Sequence, residues 1–143
     1  STDVNDSITH TYSTDGNHTV KISGTFPTIF FDNEGNHDYS NYYNLQGNAD
    51  KIIRITQWGD MAWRDFNLSF AGCNNLDINA TDTPVLTNVI NMHGVFFDNT
   101  NLKGNSSFND WDISHITNMA WTFQHAVDFN QSLDSWDVSS VTN

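Results

Sequence analysis

The sequence predicts an α/β repeat fold: a solenoid of 25–27-residue units, each a short strand and a short helix, behind an N-terminal β-hairpin cap. Three observations carry this. The octet Trp111-Asp112-Ile113-Ser114-His115-Ile116-Thr117-Asn118 returns 25 residues later as Trp136-Asp137-Val138-Ser139-Ser140-Val141-Thr142-Asn143. Asp and Asn supply 36 of 143 residues (16 Asp and 20 Asn), a composition that favours turns and caps over helix interiors. Five Trp, ten Phe and four Tyr are too many aromatics for a disordered chain.

The elements follow in order. Over residues 6–24, Ile8, His10 and Tyr12 alternate with Ser7, Thr9 and Thr11, and Val20 and Ile22 alternate with Thr19 and Lys21. Asp15-Gly16 lies between the two runs, so the segment reads as a hairpin. Phe26–Phe31 reads as a covered strand. Residues 32–50 are polar and turn-rich and read as a long loop. Residues 1–50 therefore form the cap and its loop, and residues 51–143 the repeats, the last of them incomplete.

Aligning the repeats makes Trp58, Pro84, Trp111 and Trp136 equivalent, likewise Trp63, Val89, Ile116 and Val141, and likewise Phe70, Phe96 and Phe123. Leu133-Asp134-Ser135-Trp136-Asp137-Val138-Ser139 alternates as a strand does. Ile116, Met119, Phe123 and Ala126 are spaced 3, 4 and 3 apart, as on one helix face. The result is a leucine-rich-repeat-like coil. Trp58, Phe70, Cys73, Phe96, Trp111, Met119, Phe123 and Trp136 are its expected core, with Cys73 a buried, inert thiol.

Composition excludes several functions. Five Lys+Arg against seventeen Asp+Glu give a net charge of −12, the wrong sign for nucleic-acid or anionic-membrane binding. No run approaches the roughly 20 apolar residues of a membrane span. A single cysteine allows neither an internal disulfide nor a thiolate cluster. No His-Glu zinc motif, phosphate loop or nucleophile elbow occurs, so the chain reads as non-enzymatic and needs no cofactor. Calcium is the one candidate ion: Asp32, Glu34, Asn36 and Asp38 place oxygen ligands at alternate positions, without the full spacing of a calcium hand. A solvated loop is the plainer reading. Asp112 and Asp137 fall one repeat apart on the face opposite the Trp. They are either turn acceptors or a ligand-binding stripe. Tyr39, Tyr42 and Tyr43 are candidate binding anchors, since Tyr supplies contact area at low entropy cost.

The runs FNDWDISHITNMAWTF and FNQSLDSWDVSSVTN resemble the BspA-like leucine-rich-repeat surface proteins of the subtype noted in mycoplasma lipoproteins. That subtype repeats a pattern close to SWDVSNVTNMxxMFxxAxxFN. The resemblance covers most of residues 10–143 and departs at Pro84, Val95 and Thr122, where the pattern has Trp, Met and Met. It implies an exported protein, secreted or held at the cell surface, that adheres to a protein or glycan ligand. The alternatives are a self-assembling subunit of a surface filament or layer, and a carbohydrate-binding module. The chain opens Ser1-Thr2-Asp3 and ends at Asn143 where the pattern continues, so it is expected to be a piece of a longer polypeptide.

Overall fold

The structure is a computed structural model that describes residues 11–24, 28–31 and 48–143. Its organising feature is an alternation in the backbone hydrogen bonds. The N–H groups of Leu68, Phe70 and Gly72 donate to the carbonyls of His93, Val95 and Phe97. The intervening N–H groups of Ser69, Ala71 and Cys73 turn inward to Phe66, Leu68 and Phe70, three residues back. One repeat later the pattern recurs. Gly94, Phe96 and Asp98 donate to Ala120, Thr122 and Gln124, while Val95, Phe97 and Asn99 donate to Met92, Gly94 and Phe96. Residues 65–73, 91–99 and 118–126 are thus ribbons of consecutive turns laid side by side.

This differs from the helix that the 3-4-3 spacing of Ile116, Met119, Phe123 and Ala126 predicts. Among the described residues there is no α-helix, only the 3-10 helices Ala49–Lys51 and Ser106–Asp110. The reason is geometric. An α-helix commits each interior N–H to the carbonyl four residues back, whereas the first two ribbons send every second N–H to the neighbouring unit. The chain does so by entering the left-handed region every fourth residue: Leu68 and Gly72, Gly94 and Asp98, Trp121 and His125, with φ between +53° and +72°. Such residues end a helix, yet the spacing still brings Phe66, Phe70 and Cys73 to one buried side.

The asparagine richness has its use at the ribbon starts. Oδ1 of Asp65, Asn91 and Asn118 accepts the N–H two residues on, from Asn67, His93 and Ala120, at 2.9–3.0 Å. Extended pairing is brief. Strands β1 (Arg54–Ile55) and β2 (Asp77–Ile78) pair in parallel, Arg54 opposite Asp77 and Ile55 opposite Ile78. Single parallel bridges join Ala62 to Val85 and Asn91 to Asn118. The strand predicted about Trp136 is not one; Asp137 closes a turn there by accepting the Ser139 N–H. Of the hairpin predicted over residues 6–24, residues 6–10 lie outside the described residues, and residues 11–24 hold no assigned strand. Val20 and Ile22 are exposed.

The core is aromatic. Phe31, Phe70, Phe96 and Phe123 form a spine, with ring centroids 5.9, 6.0 and 5.6 Å apart. Ile29 and Phe31 pack over its first unit. Trp111 stacks on Trp136 at 6.4 Å and meets Trp58 edge-on at 5.5 Å. Buried Pro84 takes the intervening Trp position, and its small ring leaves room for Trp58 and Trp111 to touch. Trp58, Phe70, Cys73, Phe96 and Trp111 are buried; Met119, Phe123 and Trp136 are partly so.

Two stability predictions follow from the ribbons. Gly94 has φ +57°, and a Cβ there would lie 2.6 Å from Leu68 Cδ2; Gly59 has φ +71° in open space. Both Gly→Ala changes incur the left-handed penalty of about 1–2 kcal/mol, and Gly94→Ala adds about 1–3 kcal/mol of overpacking. Urea unfolding should rank Gly94→Ala clearly below Gly59→Ala. Separately, Asn99 is fully buried with neither end of its amide paired, where the equivalent residues are Cys73 and Ala126. Removing a buried unpaired amide recovers about 1–3 kcal/mol of desolvation, so Asn99→Ala should raise the unfolding midpoint; a fall would show that the amide is satisfied.

Candidate functional site

Among the described residues Asp65, Asp77, Asp82, Asp112 and Asp137 act on the backbone. Asp82 bridges units by accepting the N–H of Trp58 at 3.1 Å and of Gly59 at 2.7 Å. Asp77 Oδ1 accepts the N–H of Lys103 at 3.1 Å and of Gly104 at 3.0 Å. Asp112 Oδ1 takes the Ser114 hydroxyl at 2.8 Å and its N–H at 3.2 Å. Both carboxyls of the predicted stripe therefore sit in turns, exposed to solvent. The Ser114 hydroxyl and then its N–H hold the Asp112 carboxyl below the ordinary range, with Asp137 opposing. Ser139 does the same for Asp137. Among the described residues no group of three His, Cys, Asp or Glu side chains is placed to hold a metal ion. Tyr39, Tyr42 and Tyr43, and the calcium candidates Asp32, Glu34, Asn36 and Asp38, lie outside the described residues. Burial pushes the Cys73 thiol up to about 12, so at neutral pH it is protonated and no nucleophile.

The sequence reading missed a cluster on the outer side of the second and third ribbons. Its centre is Phe97, itself buried. The Trp121 ring lies 6.2 Å from Phe97 and 5.0 Å from His93, and the His125 ring lies 5.6 Å from Phe97. Asp98 Oδ1 lies 2.7 Å from His125 Nδ1, and its side chain is 37% exposed. Trp121 is 45% exposed and sits at φ +60°, in the left-handed region that disfavours a large side chain. Burial lowers the His93 pKa, so its imidazole is neutral at physiological pH. The signal for this site lay in the alignment. Position 121 corresponds to Leu68 and Gly94, outside the repeating core set, so a Trp there departs from the repeat.

Trp121 also borders a groove of about 570 Å³, walled by Met119, Phe123, Leu133, Trp136 and Val138. These are core-type positions of the third and fourth units. Val138 is 54% exposed, whereas its counterpart Ile113 is buried. Chemically, the outer cluster offers an aromatic face, a neutral imidazole and a carboxylate. The groove offers apolar area.

The carboxylate turns have a pH signature. A carboxyl whose folded pKa lies below its unfolded value near 3.9 contributes stability above that value, and loses it as pH falls through the folded pKa. Asp112→Asn keeps an oxygen acceptor for the turn but removes the titration. Urea midpoints should match the parent at pH 7 and fall less steeply below pH 4. An unchanged acid limb would show that Asp112 contributes nothing to it.

Residues 64–143 match the family described as Mycoplasma protein of unknown function, DUF285. That span takes in all three ribbons and the outer cluster. No curated protein and no solved structure matches the chain. Among the described residues no helix is long and apolar enough to cross a membrane. A match over more than half of the sequence places the protein: the chain belongs to the DUF285 family of Mycoplasma proteins of unknown function.

Proposed function

We propose that this protein is a non-enzymatic, extracellular surface protein that adheres to a ligand through a leucine-rich-repeat-like solenoid of stacked turn ribbons. The observation that carries the reading is the register of the backbone bonds. Each ribbon is tied to the next at every second residue, from Leu68–His93 through Asp98–Gln124. Stacking of this kind fixes outward side chains in columns, and a rigid column of variable residues is a binding surface with little ordering cost. The sequence likeness to BspA-like surface proteins supports the same reading, as does the acidic, Lys-poor composition.

A self-assembling subunit is the second reading, favoured by the groove in which Trp136 and Val138 leave core-type surface open. Light scattering coupled to size exclusion, with and without millimolar Ca²⁺, separates the two. The adhesion reading expects a 16.2 kDa monomer, indifferent to calcium, that binds saturably to a surface of immobilised extracellular proteins or glycans. Growth with concentration and no saturable binding would replace it with the assembly reading. Growth that requires Ca²⁺ would do the same and direct mutation to Asp32–Asp38 and to Asp112 and Asp137.

A further inference from the structure

The cluster around Phe97 allows the ligand's chemistry to be narrowed, on the footing of the adhesion reading above. We propose that Trp121, His93 and Asp98 form a docking site for an arginine side chain on a basic polypeptide. Four observations converge. Trp121 is 45% exposed and sits in a backbone conformation that glycine, the residue at position 94, would hold more easily. His93 lies 5.0 Å from that ring, and burial keeps its imidazole neutral. The pair therefore offers π surface without a repelling charge. Asp98 joins the cluster through His125, whose ring lies 5.6 Å from Phe97 and whose Nδ1 lies 2.7 Å from the Asp98 carboxylate. His125 orients it through Oδ1, and the carboxylate stays partly open to solvent. The chain as a whole carries a net charge of −12, which draws in basic partners and repels acidic ones.

Arginine fits these parts better than other side chains. Its planar guanidinium stacks on an aromatic face while its edge hydrogen-bonds a carboxylate, and lysine's compact ammonium cannot do both. A neutral sugar would use the indole face but gain nothing from the surrounding charge. An acidic glycan would be repelled.

Trp emission reports on Trp121 and the partly buried Trp136, because Trp58, Trp63 and Trp111 are buried, and Trp121→Gly separates the two contributions. The intact chain is titrated with a peptide of alternating Arg and Gly, with matched Lys and citrulline peptides, and with a neutral oligosaccharide, all at low fixed salt. The Arg peptide should bind tightest and change the Trp emission, and the citrulline peptide should bind weakest. Trp121→Gly installs the residue of the preceding unit at a left-handed position, so the melting temperature should hold. Binding of the Arg peptide should weaken roughly tenfold. Asp98→Asn should weaken it several-fold. Asp60→Asn, the same charge change at an exposed carboxylate in another unit, should leave it unaltered. Equal affinity of Trp121→Gly and parent overturns the proposal. So does equal loss in Asp98→Asn and Asp60→Asn, which would indicate attraction to net charge alone, and so does an emission change produced only by the oligosaccharide. If the parent and Trp121→Gly both adhere equally to the immobilised surfaces, this site falls and the adhesion reading stands. If neither peptide nor surface is bound, both fall.

Discussion

The structure rests on one division of labour among backbone N–H groups. In the first two ribbons alternate donors close local turns and the rest reach the neighbouring unit, and the third closes the same local turns. Neither half suffices alone. The local bonds span three residues and leave every second amide unsatisfied. The cross-unit bonds need a neighbour already in place. An unpaired buried amide costs as much as a lost hydrogen bond, so one unit of 25–27 residues has no stable form by itself. The aromatic spine follows the same register: Phe70, Phe96 and Phe123 stack because Phe70 is bonded to Val95, and Phe96 to Thr122. Packing and hydrogen bonding are here one periodicity seen twice.

That periodicity was readable in the sequence, and the local geometry within it was not. The octet at Trp111 and its return at Trp136, and the equivalence of Phe70, Phe96 and Phe123, pick out residues that are partners in space. The spacing of Met119, Phe123 and Ala126 could not separate a helix from a ribbon of turns, because both bring every third or fourth side chain to one side. What separates them is the left-handed residue at every fourth position. Gly72 and Gly94 announce it, but Leu68, Asp98, Trp121 and His125 do not. Asp112 was legible as a turn acceptor from its own chemistry. Trp121 was not singled out, since the Trp residues that repeat are core residues and it falls outside the core positions of the repeat.

The unusual composition has a common cause. Asp65, Asn91 and Asn118 perform one task with two chemistries, since carboxylate and amide oxygens accept the same N–H. A fold built of turns needs many such acceptors, and each filled by Asp adds a negative charge. Asp77, Asp82, Asp112 and Asp137 are further cases. Part of the net charge is thus tied to architecture before any partner is considered. Its consequence at the surface is nonetheless real, because the field does not depend on why the charges are there.

The same backbone constraint links fold to site. A left-handed residue every fourth position, repeated every 26 or 27 residues, brings Trp121 to the position of Gly94 one unit earlier, and His125 to that of Asp98. These side chains become neighbours through register alone; Asp98 and His125 lie 27 residues apart and meet at 2.7 Å. Glycine would satisfy the backbone at each position without the roughly 1–2 kcal/mol that a side chain costs there. Gly72 and Gly94 show that the fold accepts it. Of the four remaining positions Leu68 is partly buried in the stack, whereas Asp98, Trp121 and His125 carry that cost at the outer cluster. Strain of this kind at an outward-facing cluster is the physical reason to look for a ligand at Trp121 rather than along the buried aromatic spine.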